Sequence, residues 1–341
     1  MHTKNLKKIL KGKTLLVTGG TGSFGRCFIL YLLKNFNLKR IIIYSRDEKK
    51  QFDMAQSNDF NPHKYKELRY FIGDVRDYDR LDYAMEGCDY VVHAAAMKHV
   101  EVAEYNPMEA IKTNVHGADN IIKSALKNNI KKILALSTDK AVNPVNLYGA
   151  TKLASDKLFI AANNIVGKKN CAFSIVRYGN VVGSRGSVIE IFRKIKNEKL
   201  KSYPITHESM TRFWITLEDS VKFVLSSLLG MKGGEVFVPK ISSINIKDLV
   251  FAFDQNAKIK IIGLRPGEKL HEVLLSKEDS ENAIEYKKFF IVKPQIKFTS
   301  VNESYIRMPW GEKGKPHKPG KEYNSSNNKD FLSIKDLKKN I

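Results

Sequence analysis

Two short stretches of the 341-residue chain hold side chains that could move protons. Tyr148 and Lys152 stand four apart in Asn146-Leu147-Tyr148-Gly149-Ala150-Thr151-Lys152, and on a helix that spacing puts both on one face. The Lys152 ammonium is expected to lower the pKa of the Tyr148 phenol, so that it takes or gives a proton near neutrality. Eight residues before Tyr148 comes Lys140, in Ser137-Thr138-Asp139-Lys140, where hydroxyl, carboxyl and amine stand side by side. Such groups recur by chance on surface helices and strand ends, so their meaning depends on the elements that carry them.

Those elements alternate. Short β-branched runs at 14–18, 40–44, 69–72, 90–93, 132–137 and 172–177 are separated by amphipathic stretches of helical character, one with a plausible entry at Asn106-Pro107. The alternation predicts an α/β fold, a Rossmann-like doubly wound parallel sheet with helices on both faces. After Tyr178 the pattern loosens: helical segments near 188–196, 217–229 and 246–253 are separated by Gly233-Gly234 and by Leu264-Arg265-Pro266-Gly267. This predicts a smaller mixed α/β substrate-binding region on the C-terminal side. The expected division is 1–180, a dinucleotide domain with the catalytic residues; 181–299, a substrate region interlocked with it; and 300–341, a polar, peripheral tail.

The first run is followed directly by Thr18-Gly19-Gly20-Thr21-Gly22-Ser23-Phe24-Gly25 and then a helical stretch. Glycines at this spacing allow a tight turn, close approach of a pyrophosphate, and close helix-sheet contact at a helix N-terminus rich in N–H donors. The second run ends in Ser45-Arg46, a hydroxyl and a guanidinium suited to a 2′-phosphate, which favours NADP. Asp47 and Glu48 follow at once and keep NAD open. Asp74, after Gly73, could accept from an adenine amine, and the small residues Ala94 to Ala96 leave room for a cofactor across the sheet.

Taken together, the glycine turn, the hydroxyl at a strand end and the Tyr-x-x-x-Lys pair resemble the extended short-chain dehydrogenase/reductases over roughly residues 12 to 290. Further blocks narrow the likeness: Ser45-Arg46-Asp47-Glu48, Met97-Lys98-His99-Val100, Leu136-Ser137-Thr138-Asp139-Lys140-Ala141, Arg177 to Ser187, Met210-Thr211-Arg212-Phe213-Trp214 and Arg265-Pro266-Gly267-Glu268-Lys269. These look like the inverting UDP-N-acetylglucosamine 4,6-dehydratases, a family that makes the first intermediate of pseudaminic acid for flagellin and surface glycans.

That resemblance implies Lys140 as the base at the sugar's carbon 5, Asp139 as the acid at carbon 6, Thr138 as a hexose partner, and Tyr148 with Lys152 for the oxidation at carbon 4. A desolvated Lys140 beside a cationic nicotinamide could run neutral. The cofactor is expected to lie along Gly19, Thr21, Gly22, Ser23, Phe24, Gly25, Ser45, Arg46, Asp47, Lys49, Lys50, Asp74, Val75, Ala94, Ala96, Leu136, Ser137, Tyr148 and Lys152. The UDP-sugar is expected on Lys98, Thr138, Asn180, Val181, Arg185, Gly186, Ser187, Val188, Arg212, Arg265 and Glu268. The family also implies a homo-oligomer, commonly a hexamer. Membrane-anchored retaining relatives share Thr-Asp-Lys but as a rule carry Met where Tyr148 stands. A UDP-hexose 4-epimerase is the rival within the fold, and a dinucleotide-fold redox sensor or nucleic-acid binder is the rival outside it.

Composition bears on the partners. With 58 Lys+Arg against 36 Asp+Glu the net charge is +22, which by itself points to a polyanion. The excess is scattered lysine, however, and only 12 residues are Arg, so it reads as a solvated surface and no nucleic-acid partner is expected. Cys27, Cys88 and Cys171 are far apart and form neither a disulfide framework nor a metal motif. His93, His99, His207 and His271 lack metal-ligand spacing, and no metal is expected. No apolar run approaches the length of a membrane span, and the basic start meets too short an apolar stretch for a signal sequence. A cytoplasmic location is expected.

Overall fold

The computed structural model describes residues 3–184, 186–200, 202–296 and 305–341. Six parallel strands form the body of the main sheet: β1 (Thr14–Thr18), β2 (Arg40–Ser45), β3 (Leu68–Ile72), β4 (Tyr90–His93), β5 (Lys132–Thr138) and β6 (Ala172–Tyr178), in spatial order β3-β2-β1-β4-β5-β6. The Thr-Leu-Leu-Val-Thr strand β1 is buried along its whole length, as a strand covered on both faces must be. One apolar cluster packs Leu15, Val17, Ile41, Ile43 and Val92 beneath Phe28 and Leu32 of the helix Ser23–Asn35. A second packs Leu16, Val91, Ile133 and Ile175 against Ile121, Ile122 and Phe159. The expected Rossmann-like sheet is therefore present, and its chain reversal falls between β1 and β4, where open α/β sheets leave a crevice for ligands.

The sheet continues beyond β6. Val236–Pro239 pairs with it in parallel, and Phe289–Val292, Ala283–Glu285 and Lys315–Pro316 extend the edge in antiparallel fashion. A small separate sheet joins Ser242–Asn245, Thr211–Ile215 and Asn180–Val181, with Asn180 opposite Trp214. That pairing ties the segment leaving β6 to the strand that carries Arg212. A third apolar cluster, centred on Ile189, Phe192, Trp214, Leu249 and Phe253, fills this region.

The polar stretch after residue 305 is drawn into the fold instead of lying at its periphery. Tyr323–Asn324 pairs with Val273–Leu275, Ser325 is wholly buried, and Leu337 of the last helix belongs to the third core cluster. Its many Asn and Ser side chains satisfy backbone groups: Asn328 Nδ2 donates to the Ile241 carbonyl at 2.7 Å, and Ser325 Oγ accepts from the Glu272 N–H. Among the described residues, no helix is long and apolar enough to cross a membrane.

Candidate active site

A cavity of about 710 Å³ opens along the carboxyl ends of the strands, from the glycine turn to the Thr138-Asp139-Lys140 segment. At its first end Gly19 has φ +65°, and a side chain there would meet the Ala95 N–H at 2.9 Å. A Cβ on Gly25 would lie 2.6 Å from the Gly19 carbonyl oxygen, so helix and turn touch backbone to backbone. No side chain caps the helix at Gly22, which leaves its N-terminal potential facing the cavity for an anion. Thr18 Oγ1 accepts from the Ala94 and Ala95 N–H groups at 3.1 and 3.2 Å and donates to His93 Nδ1 at 2.8 Å. Burial holds His93 neutral, its pKa brought down to about 3. The ends of β1 and β4 are thereby locked together beneath the crevice.

At the end of β2, Ser45 and Thr21 share a hydrogen bond of 2.8 Å between their hydroxyls. Ser45, Arg46, Lys50, Asp74 and Val75 line the cavity. Asp47 does not: its carboxylate accepts from the Lys50 N–H as the cap of helix Glu48–Gln56, and the Lys50 side chain bonds it and holds its pKa low. Lys49 also lies away from the cavity, exposed and paired with Asp53 at 3.2 Å. The nearest carboxylate is Asp74, held below its usual pKa by Arg76 and Arg46 in spite of partial burial.

The catalytic end is built by one close contact. The helix Leu147–Ala162 lies so near the turn Asp139–Ala141 that a Cβ on Gly149 would sit 2.2 Å from the Lys140 carbonyl oxygen. The Tyr-Gly-Ala-Thr-Lys sequence thus supplies the approach as well as the reactive groups. Tyr148, Lys152, Leu136, Ser137, Thr138, Asp139 and Lys140 all line the cavity. Thr138 Oγ1 donates to Asp139 Oδ1 at 3.0 Å and also bonds the Tyr148 phenol.

One expectation about charge is corrected. Tyr148 is not brought toward neutrality: burial pushes its pKa up to about 12, only partly offset by Lys140 and Thr138. The Lys152 ammonium donates at 2.8 Å to the Leu136 carbonyl, with its own pKa lowered by burial and partly restored by Asp156. Lys140 is flanked by carboxylates. Burial would lower its pKa, but its Nζ lies 3.1 Å from Asp139 Oδ1 and 3.0 Å from Glu272 Oε1, and the two carboxylates raise it above the ordinary lysine range. Asp139 is shifted upward by burial, which outweighs Lys140.

Glu272 is the member of this site that the motifs did not announce. Its neighbour Arg212 lies 3.9 Å away and donates to Glu268 at 3.2 Å. Asn114 is a second: from a π-helical turn, Lys112–His116, it holds the Met97 N–H and carbonyl at 2.8 and 3.0 Å and bonds Thr151 at 3.0 Å. Single π turns of this kind favour functional sites but have no sequence signature. The expected substrate residues divide. Lys98, Asn180 and Val181 line the cavity. Gly186 N–H bonds Glu190 at 2.7 Å, and Ser187 begins the helix Val188–Asn197 with a buried hydroxyl that has no partner. Arg212, Arg265 and Glu268 lie outside the cavity lining, Arg265 exposed near Glu101 at 3.6 Å. Arg185 is outside the described residues.

A family model described as polysaccharide biosynthesis protein matches residues 15–294. The UDP-N-acetylglucosamine 4,6-dehydratase (inverting) of Campylobacter jejuni subsp. jejuni serotype O:2 is 56% identical over 325 residues, 95% of this chain and 96% of that one. The chain belongs to this family of hydro-lyases. A UDP-glucose 4-epimerase of Rickettsia bellii is 46% identical over 279 residues, 80% of each chain. The solved structure of Pen from Bacillus thuringiensis has a TM-score of 0.84 at 36% identity, covering 97% of this chain and 98% of the other.

Proposed function

We propose that this protein carries out the NADP-dependent inverting 4,6-dehydration of UDP-N-acetylglucosamine, with epimerisation at carbon 5. The product is UDP-2-acetamido-2,6-dideoxy-β-L-arabino-hex-4-ulose. The observation that carries this reading is the placement of Thr138, Asp139, Lys140 and Tyr148 on the same cavity as the glycine turn. An oxidation alone needs one proton acceptor, whereas elimination needs a second base and an acid beside it, and Asp139 with Lys140 supplies that pair.

The cavity fits a nicotinamide dinucleotide through its side-chain-free turn and uncapped helix N-terminus. A nicotinamide dinucleotide held along Gly19, Gly22, Ser45 and Arg46 would supply a hydride acceptor for carbon 4 and a hydride donor for carbon 6, with no net consumption of cofactor. Arg46 and Lys50, with Asp47 committed to its helix, favour the 2′-phosphate of NADP.

Tyr148, after losing its own phenol proton to solvent, takes the carbon 4 hydroxyl proton, and Thr138 holds the phenol and the hexose. Passage of one proton from Lys140 Nζ to Asp139 Oδ1, 3.1 Å apart, leaves an amine and a carboxylic acid together. The amine then removes the carbon 5 proton made acidic by the adjacent ketone, and the acid protonates the departing carbon 6 hydroxyl. Protonation of carbon 5 from the opposite face by a water gives inversion, while Lys140 releases the proton it removed to solvent. Lys98 and Asn180 contact the sugar, and Arg212, Arg265 and Glu268 belong to the uridine diphosphate end as the loops close on it.

The product would feed the synthesis of pseudaminic acid or another 6-deoxy amino sugar of surface glycans, in the cytoplasm, by a homo-oligomer. Incubation with UDP-N-acetylglucosamine in deuterated water tests the reaction. Product NMR should show a 4-keto-6-deoxy sugar labelled at carbon 5, and recovery of a 4-epimer alone would replace the dehydratase reading with the epimerase one.

A further inference from the structure

Glu272 stands where the cavity's catalytic end meets the C-terminal segment. Its side chain is 3% exposed, with Oε1 3.0 Å from Lys140 Nζ and Oε2 buried without a hydrogen-bond partner. Its backbone is held on both sides by one residue: the Glu272 N–H donates to Ser325 Oγ at 2.9 Å, and its carbonyl accepts from the Ser325 N–H at 2.8 Å. Ser325 Oγ also bonds Thr211 Oγ1 at 2.7 Å, next to Arg212. Ser325 lies beyond the stretch matched by the family model, which stops at residue 294.

We propose that Glu272 is the positioning residue for Lys140, and that the segment after residue 305 completes the active site by pinning Glu272 through Ser325. This rests on the reading in which Lys140 removes the carbon 5 proton. A neutral lysine amine has two N–H groups and one lone pair. Once Asp139 has taken a proton from Lys140, Glu272 Oε1 is the carboxylate left to accept an amine N–H, and that bond fixes how the lone pair is presented from a side chain that lines the cavity. The fixed anion also strengthens the base, because the ammonium formed when Lys140 takes a proton is stabilised by a charge 3.0 Å away. Arg212 does not make Glu272 redundant as a mere counter-ion, since Arg212 already has Glu268 at 3.2 Å.

The charged and titratable groups around Lys140 are Asp139 on its own turn, Tyr148 from the following helix, Arg212 from its strand, and Lys269 and Glu272 from the loop that precedes the strand Val273–Leu275. Of these, Glu272 can be neutralised without altering a group that touches substrate in the proposed reaction. The test compares the cofactor-loaded wild type with Glu272→Gln, Glu272→Asp and Ser325→Ala. Turnover of UDP-N-acetylglucosamine and deuterium entry at carbon 5 are followed against pH, and reduced-cofactor absorbance in a single turnover reports the carbon 4 oxidation separately.

In Glu272→Gln the acidic limb of the profile should move to lower pH by about one to three units and the plateau should fall by about tenfold or more, while the single-turnover cofactor signal persists. Glu272→Asp should keep the limb in place, and Ser325→Ala should lower the plateau with the limb unmoved. A Glu272→Gln enzyme with the wild-type limb would overturn the role of Glu272. If that variant does not fold, an acid limb displaced in Glu272→Asp refutes the charge argument, and a wild-type plateau in Ser325→Ala refutes the role of the tail. Failure of the dehydratase reading would show instead in the wild type, as absence of any 4-keto-6-deoxy product.

Discussion

Gly149→Ala is the sharpest perturbation of the catalytic end, because it adds one methyl group and removes no functional atom. The new Cβ would lie 2.2 Å from the Lys140 carbonyl oxygen, where ordinary contact begins at 3.4 Å. The obstacle is backbone: the Lys140 carbonyl carbon lies at 3.0 Å as well, and the rigid Pro144 ring crowds the new Cβ with its own at 3.1 Å. Helix and turn must therefore separate by about 1 Å. Overpacking of this kind costs about 1–3 kcal/mol, and for a chain of this size that lowers the melting temperature by several degrees. The catalytic cost is larger, since a 1 Å misplacement of reacting groups can cost about a hundredfold, and here it falls between Tyr148 on the helix and Asp139 and Lys140 on the turn. Stopped-time NMR of product should show kcat down by about a hundredfold, with NADPH binding at the distant glycine turn retained. Wild-type kcat in a folded Gly149→Ala protein would refute the claim that this contact sets the geometry.

Arg46→Ala should weaken NADPH binding by about 10- to 100-fold, the loss of a charged hydrogen bond worth about 1.5–3 kcal/mol, and leave NADH binding nearly unchanged; calorimetric titration that weakens both equally would contradict the NADP assignment. Lys140→Ala should lower dehydration by about 10² to 10⁴-fold while cofactor reduction by substrate persists, and a rapid-quench product assay showing full turnover would remove Lys140 from the mechanism. At the sheet edge, burial would raise the Glu285 pKa, but Lys240 at 2.7 Å and His317 at 3.1 Å bring it down to about 2. A folded pKa below the ordinary 4.5 contributes stability that is present above that value and lost as pH falls toward 2. Thermal melts of Glu285→Gln should lose this part of the acid dependence, and melts identical to wild type across that range would contradict it.

What the sequence made legible follows from how local the signals are. The six strands of the parallel sheet were readable because buried parallel strands are runs of Val, Ile and Leu with turn residues at their ends. The glycine turn and the Tyr148 helix were readable for the same reason, each being a contiguous motif. The strand Thr211–Ile215 was legible only as a motif, since its residues Thr-Arg-Phe-Trp-Ile are all buried and show no alternation. The tail was misjudged because its burial is polar: Ser325 and Asn328 enter the fold through hydrogen bonds to backbone, which hydrophobic patterning does not register.

The chemistry was legible in the identity of its residues and not in their charge. From spacing alone Lys152 should ease the ionisation of Tyr148, while Lys140 is expected to run neutral when desolvated beside a cationic nicotinamide. Both arguments used one neighbour where the site has several. The phenol is governed first by its burial, and the lysine by two carboxylates, one of them contributed from the loop before the strand Val273–Leu275. Glu272 was readable as part of a helix-free loop and nothing more, because its partner Lys140 is 132 residues away in sequence and meets it only in the folded chain. A proton affinity is set by every charge within a few ångströms, so the sequence can name an acid or base while the fold decides at what pH it serves as one.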